Sequence, residues 1–134
     1  MPTVEVSVLI AADPIAIETV LLDADLAPRW TSGLERLELV HGHAGEAGSV
    51  GHAHYREGSR RYLLTDVLEE VEPARRYVSR VSGGGIRARI ETLLQPVGKH
   101  DTRMTLRWSG RGTNPLTFLV LPFMGRRVRQ RSLA

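Results

Sequence analysis

Apolar and polar residues alternate over Thr3–Ile10, with Val4, Val6, Val8 and Ile10 on one parity, the two-residue period of a half-buried strand. Asp13-Pro14 breaks that pattern. An Asp N-cap followed by Pro at the first helical position predicts a short helix carrying Ile15, Ile17, Val20, Leu21 and Leu22. Asp23-Ala24-Asp25 predicts a second short helix ending near Pro28-Arg29-Trp30. A series of strand patterns follows: Leu34–His43, Val50–Glu57, Arg60–Val71, Arg76–Ser82, Ile86–Gln95 and Thr102–Gly110. The turn signals between the later ones are Gly58-Ser59, Pro73-Ala74, Gly83-Gly84-Gly85 and Val97–His100, short enough to make consecutive strands antiparallel hairpins. Thr113-Asn114-Pro115 repeats the helix-start chemistry, and Leu116–Arg131 reads as a terminal helix.

Such an order predicts an α+β fold: a seven-stranded curved antiparallel sheet, two short helices after the first strand, and the C-terminal helix across the sheet. That helix is the only large element available to cover the apolar face, and a hollow is expected between the two. Strand parity assigns the lining. Ile86, Ala88, Ile90, Thr92 and Leu94 share one face against Arg87, Arg89 and Glu91; Thr102, Met104, Leu106 and Trp108 share one against Arg103, Thr105 and Arg107. A triglycine turn that pairs Val81 with Ile86 puts Tyr77 and Ser79 inward. Closing Pro73-Ala74 as a two-residue loop carries the inward set to Leu68, Asp66, Leu64 and Tyr62, and the Gly58-Ser59 turn extends it to Tyr55 and Ala53. A slip of one residue would exchange the faces and bring His52, His54 and Thr65 inward instead.

Composition removes several classes of function. The chain has 134 residues, enough for one domain, and no cysteine, which excludes disulfides, thiolate catalysis and Cys-ligated metal sites. No apolar run reaches bilayer-spanning length and the N-terminus lacks a signal-peptide pattern, so a cytoplasmic protein is expected. The net charge is +3, with Arg126, Arg127, Arg129 and Arg131 crowded near the end. No aromatic residues interleave these arginines, so nucleic-acid binding is not expected. Peripheral contact of an Arg-rich terminal helix with anionic lipid is the other use of such a tail, and a homodimer mate is an alternative cover for that helix.

Three stretches resemble a known family. Val6-x-Val8-x-Ile10-Ala11-Ala12-Asp13-Pro14 is similar to its first strand entering its first helix. Leu21-Leu22-Asp23 through Trp30 and Gly33-Leu34-Glu35-Arg36-Leu37-Glu38 resemble its "D…W…v..vE" passage, and Val67–Tyr77 resembles its "V.e.ePp.rl" hairpin. The family is the START-like (SRPBCC) superfamily, the helix-grip fold of polyketide cyclases/dehydrases, lipid-transfer proteins and plant allergen-type binders. The resemblance covers nearly the whole chain and implies one ligand-binding domain over residues 1–134. The terminal helix here is shorter than the family's, and Pro122 kinks it, so its lid is expected to be short or bent with an opening beside it.

The expected ligand is an apolar or aromatic small molecule, lipid- or polyketide-like, held without a cofactor by Tyr55, Tyr62, Leu64, Tyr77, Ile90, Thr92, Met104, Trp108, Leu119 and Phe123. Asp66 is the candidate acid–base residue: a carboxyl between Leu64 and Leu68 facing a hollow has a raised pKa, which suits enolisation or dehydration. The competing reading makes Asp66 a partner of a tyrosine hydroxyl or places it in water near the open end. His41, His43, His52 and His54 form two His-x-His pairs that adjacent strands could present to zinc or copper; the alternative is exposed histidines at a rim. Gly83-Gly84-Gly85 joins two strands rather than opening a helix and is not a phosphate loop.

Overall fold

A computed structural model describes residues 3–31, 33–111 and the backbone of 124–132. Strand β1 (Thr3–Ile10) leads into helix α1 (Pro14–Leu21) and the single-turn α2 (Ala27–Trp30). Six strands follow: β2 (Leu34–His41), β3 (Val50–Glu57), β4 (Arg60–Glu72), β5 (Arg76–Gly83), β6 (Ile86–Val97) and β7 (Asp101–Arg111). They form one antiparallel sheet in the order β2-β3-β4-β5-β6-β7-β1, so the first strand joins the last hairpin. The helix α1 starts as its sequence dictates, with Asp13 Oδ1 accepting from the Ala16 N–H at 2.8 Å and Pro14 in its first turn. Asp23 opens a turn rather than the second helix, accepting from the Asp25 N–H at 3.0 Å, and α2 begins only at Ala27.

Residues 112–123, with Leu119 and Phe123, lie outside the described residues. The terminal helix expected over Leu116–Arg131 is corrected in its second half. Met124–Ser132 form a strand, β8, antiparallel to the outer edge of β1 with Val8 opposite Val128. The physical reason is local and global together. Pro122 and Gly125 oppose a continuing helix, and β1 would otherwise leave a row of N–H and C=O groups unpaired at its edge.

Register is set by turns and bulges, and it differs from expectation by two residues at one turn and by one at another. The triglycine turn pairs Gly83, not Val81, with Ile86, which moves Val81 opposite Ala88 but keeps its face. The Pro73-Ala74 turn spans three residues, with Ala74 at a φ of 56° and Glu72 opposite Arg76. Alone this would exchange the faces of β4. A bulge at Glu69 restores them, so Leu68 lies opposite Ser79 and Asp66 opposite Val81. Another bulge at Glu35 lets Leu34 and Leu37 share a face although they are three apart.

The inner face, α1 and α2 make the core. Ile10, Ile17 and Met104 are fully buried, and Val8, Leu64, Leu94 and Trp108 nearly so. Each such aliphatic side chain contributes about 1.5–3 kcal/mol through burial. Thr102 is buried too and donates its hydroxyl to the Ala12 carbonyl at 2.7 Å, tying β7 to the entry of α1. The outer face carries a chain of ion pairs across five strands. Glu5 meets Arg107 at 2.9 Å, Arg107 meets Glu91 at 3.1 Å, Glu91 meets Arg76 at 2.8 Å and Arg76 meets Glu70 at 3.1 Å. Glu91, at its centre, is 8% exposed.

Candidate ligand-binding site

The curved sheet and the two short helices enclose a cavity of about 270 Å³. Leu21 and Leu22 of α1 and its following link, with Ala27 and Trp30 of α2, form one wall. Leu34, Leu37 and Leu39 of β2, Ala53 and Tyr55 of β3, and Leu64, Asp66 and Leu68 of β4 form the next. Tyr77, Ser79 and Val81 of β5, Ile90 and Thr92 of β6, and Met104 and Leu106 of β7 complete it. The β2–β3 loop reaches the same space through Ala44 and Gly45. A Cβ on Gly45, which sits at a φ of 80°, would lie 2.8 Å from the Leu22 side chain, so glycine is what lets this loop close against α1. The lining is mostly aliphatic and aromatic with a few polar groups, the usual make-up of a small-molecule pocket.

Asp66 is the one carboxyl among the described residues of that wall. It is partly accessible, but it faces the hollow, and removal from bulk water pushes its carboxyl up to about 6, against a smaller opposing effect of the Ser79 hydroxyl bonded to it. Tyr55 lines the same wall, and burial, then Tyr62, then Asp66 push its hydroxyl up to about 12. Its ring stacks on Tyr62 at 5.4 Å between centroids and 7° between planes. The Tyr77 ring lines the cavity while its hydroxyl is engaged elsewhere: it donates to Glu18 of α1 and accepts from the Ala74 N–H at 3.0 Å. The Ala74 N–H also donates to Glu18. Burial and then the Glu18 bond raise the Tyr77 pKa. This three-way contact fastens α1 to the β4–β5 turn and supports Ala74 in its left-handed conformation.

Of the residues selected from sequence, the structure gathers Tyr55, Leu64, Asp66, Tyr77, Ile90, Thr92 and Met104 around one space. Tyr62 does not line it. The Tyr62 ring lies behind Tyr55 in a shallow outer cleft with Arg36, His54 and Arg61, its hydroxyl bonded to Glu57 at 3.2 Å and Arg60 over its face at 5.3 Å. Trp108 is also corrected: it points inward, but it is 2% exposed and packed in the core, with its indole Nε1 buried and unpartnered. Leu21, Leu22, Leu37 and Leu39 were not selected. Their only signal was apolar residues on the first helix and second strand, which parity arguments from the last hairpins do not reach.

The histidines do not converge. His52 and His54 lie on the face away from the cavity, opposite Glu38 and Arg36, whereas β2 ends at His41 and His43 sits in the loop beyond it. His54 Nε2 is 3.0 Å from Glu38 Oε1, and this bond holds the Glu38 carboxyl below its ordinary range. Among the described residues no group of three or more His, Asp or Glu side chains could hold a metal ion, and no described helix is long and apolar enough to cross a membrane.

Solved structures share this architecture. A START superfamily protein from Mycobacterium smegmatis is similar at a TM-score of 0.73 and 12% identity, covering 86% of this chain and 80% of that one. A conserved protein from Geobacillus kaustophilus matches at 0.72 and 17% identity, over 86% and 77% of the two chains. The Zhui aromatase/cyclase from Streptomyces sp. R1128 matches at 0.70 and 17% identity, over 89% and 74%. At such identities the likeness is one of fold. No curated protein matches the sequence. The family model described as polyketide cyclase / dehydrase and lipid transport matches residues 1–134. The chain therefore belongs to the polyketide cyclase / dehydrase and lipid transport family.

Proposed function

We propose that the protein binds an apolar or aromatic small molecule, lipid- or polyketide-like, in the cavity between α1, α2 and the sheet, and acts as a carrier or sensor. The observation that carries this reading is the cavity itself: about 270 Å³ bounded mainly by Leu, Ile, Val, Ala, Met and aromatic side chains. A ligand filling that space would gain dispersion contacts and apolar burial against these side chains. Native mass spectrometry of freshly purified protein should detect a co-purified small molecule, or uptake of an added aromatic hydrocarbon at one per chain. A bare chain mass that no such addition changes would overturn the reading.

A second reading rests on Asp66. A carboxyl pushed up to about 6 inside a cavity is suited to take and return a proton near neutral pH. It would make the protein a cyclase or dehydratase with Asp66 as acid–base residue and Tyr55 orienting a substrate carbonyl. Asp66→Asn that keeps ligand affinity but stops turnover would support it; turnover unchanged in that variant would refute it.

A further inference from the structure

The polar side chains among the described residues of the cavity wall are few. Apart from Tyr77, whose hydroxyl is held by Glu18, and Trp30, whose indole Nε1 is buried without a partner, they are the Asp66 carboxyl and the hydroxyls of Thr31, Ser49, Tyr55, Ser79 and Thr92. Each of these can accept a hydrogen bond, and the hydroxyls can also donate one. Among the described lining residues there is no ammonium, guanidinium or imidazole. The ion pairs of the described residues leave Asp66 out. On the strands beside Asp66 the basic side chains have the opposite parity: Arg80 pairs with outward Val67, and Arg89 with Arg80. Ser79, one strand over, is the hydrogen-bond partner that Asp66 has.

Asp66 thus stands between Leu64 and Leu68 as the anionic point in a wall of mostly apolar side chains and hydroxyls. A ligand ending in a carboxylate would be repelled there, and one ending in an ester or ketone could accept from the wall hydroxyls but would leave the carboxylate without a countercharge. A plain hydrocarbon would remove the remaining water from the carboxylate and give nothing back. An ammonium group would supply the countercharge that none of the described lining residues provides. Its spare N–H bonds match the hydroxyl oxygens nearby, and the desolvation of the carboxylate is already borne by the fold.

We propose that the cavity selects apolar molecules carrying a protonated amine, with the ammonium paired to the Asp66 carboxylate and the apolar body against Leu37, Leu64, Ile90 and Met104. This rests on the reading of the cavity as a ligand site and assigns the chemical class of its occupant.

Three naphthalene probes of nearly equal size test it: 1-naphthylmethylamine, 1-naphthylmethanol and 1-ethylnaphthalene. Each is titrated by fluorescence into wild type and Asp66→Asn at pH 8 and pH 5. The other ionisable groups of the wall, Tyr55 and Tyr77, have raised pKa values and stay neutral across this range, and Glu18 is bonded to Tyr77. At pH 8 the amine should bind wild type at least tenfold more tightly than the hydrocarbon, with the alcohol between them. That advantage should vanish in Asp66→Asn and shrink at pH 5, where Asp66 is protonated. Retained binding of 1-ethylnaphthalene by Asp66→Asn shows that the variant is folded. Equal binding of amine and hydrocarbon by wild type at pH 8, or an amine advantage that survives in Asp66→Asn, overturns the inference and leaves the cavity a ligand site. Binding of none of the three overturns both.

Discussion

Without ligand, Asp66 should be a liability to the fold at neutral pH and harmless in acid. Its carboxyl titrates near 6 in the folded chain against 3.8 when fully solvated. The folded state therefore binds more protons than the unfolded one between those values, and stability must fall as pH rises through this window. A separation of about two pKa units corresponds to about 3 kcal/mol, an upper limit because water in the cavity solvates part of the charge. Asp66→Asn keeps the shape and an oxygen that can accept from Ser79, but it removes the charge. It should raise stability by only about 0.5 kcal/mol near pH 4 and by about 1.5–3 kcal/mol above pH 7. At about 3–5 °C per kcal/mol for a chain of this size, that is a melting-temperature gain of about 5–15 °C. Thermal and urea unfolding of both proteins from pH 4 to pH 8 reads the difference directly. A difference independent of pH, or a variant less stable at pH 8, would refute the reasoning by showing that the charge is already compensated.

Other perturbations address the frame around the cavity. Tyr77→Phe removes the hydroxyl that Glu18 and the Ala74 N–H share, and should cost about 1–3 kcal/mol in urea unfolding; no loss would mean that the contact does not fasten α1. Glu91→Ala removes the β6 carboxylate that lies between Arg76 of β5 and Arg107 of β7, and should cost about 2 kcal/mol, less in molar salt; a change below about 0.5 kcal/mol would make that chain of pairs a solvated surface feature. Gly110→Ala would set a Cβ 2.1 Å from the Arg87 carbonyl oxygen, a backbone collision that β6 and β7 must part to relieve. It should lower the melting temperature sharply, whereas Gly98→Ala, whose Cβ meets nothing but whose φ is 66°, should cost only about 1 kcal/mol. Equal losses would show that strand pairing at Gly110 is looser than described.

Much of this molecule is legible one residue at a time. β1 and β3 have the bounds that alternation predicts, and Asp13-Pro14 starts α1 because an N-cap acceptor and a fixed φ act within a single turn. The inward faces of β6 and β7 follow from long alternating runs with charges on the other parity, which no nearby turn can exchange. The faces of β4 were recovered less directly. The expected two-residue turn is a three-residue one, and only the bulge at Glu69, invisible in a run of Leu-Glu-Glu-Val, returns Asp66 to the cavity.

Contacts between distant segments were decided by the tertiary structure alone. Glu18 and Tyr77 are 59 residues apart, and nothing local marks either as the other's partner. Tyr62 and Trp108 share an inward parity with cavity residues, yet Tyr62 lies behind Tyr55 and Trp108 is enclosed by the core, because parity gives a side and not a depth. Residues 124–132 show the same limit most plainly. Read alone, a basic segment after an apolar run looks like the end of a helix. Beside the open edge of β1 it becomes a strand, since backbone groups there need partners that only another segment can supply.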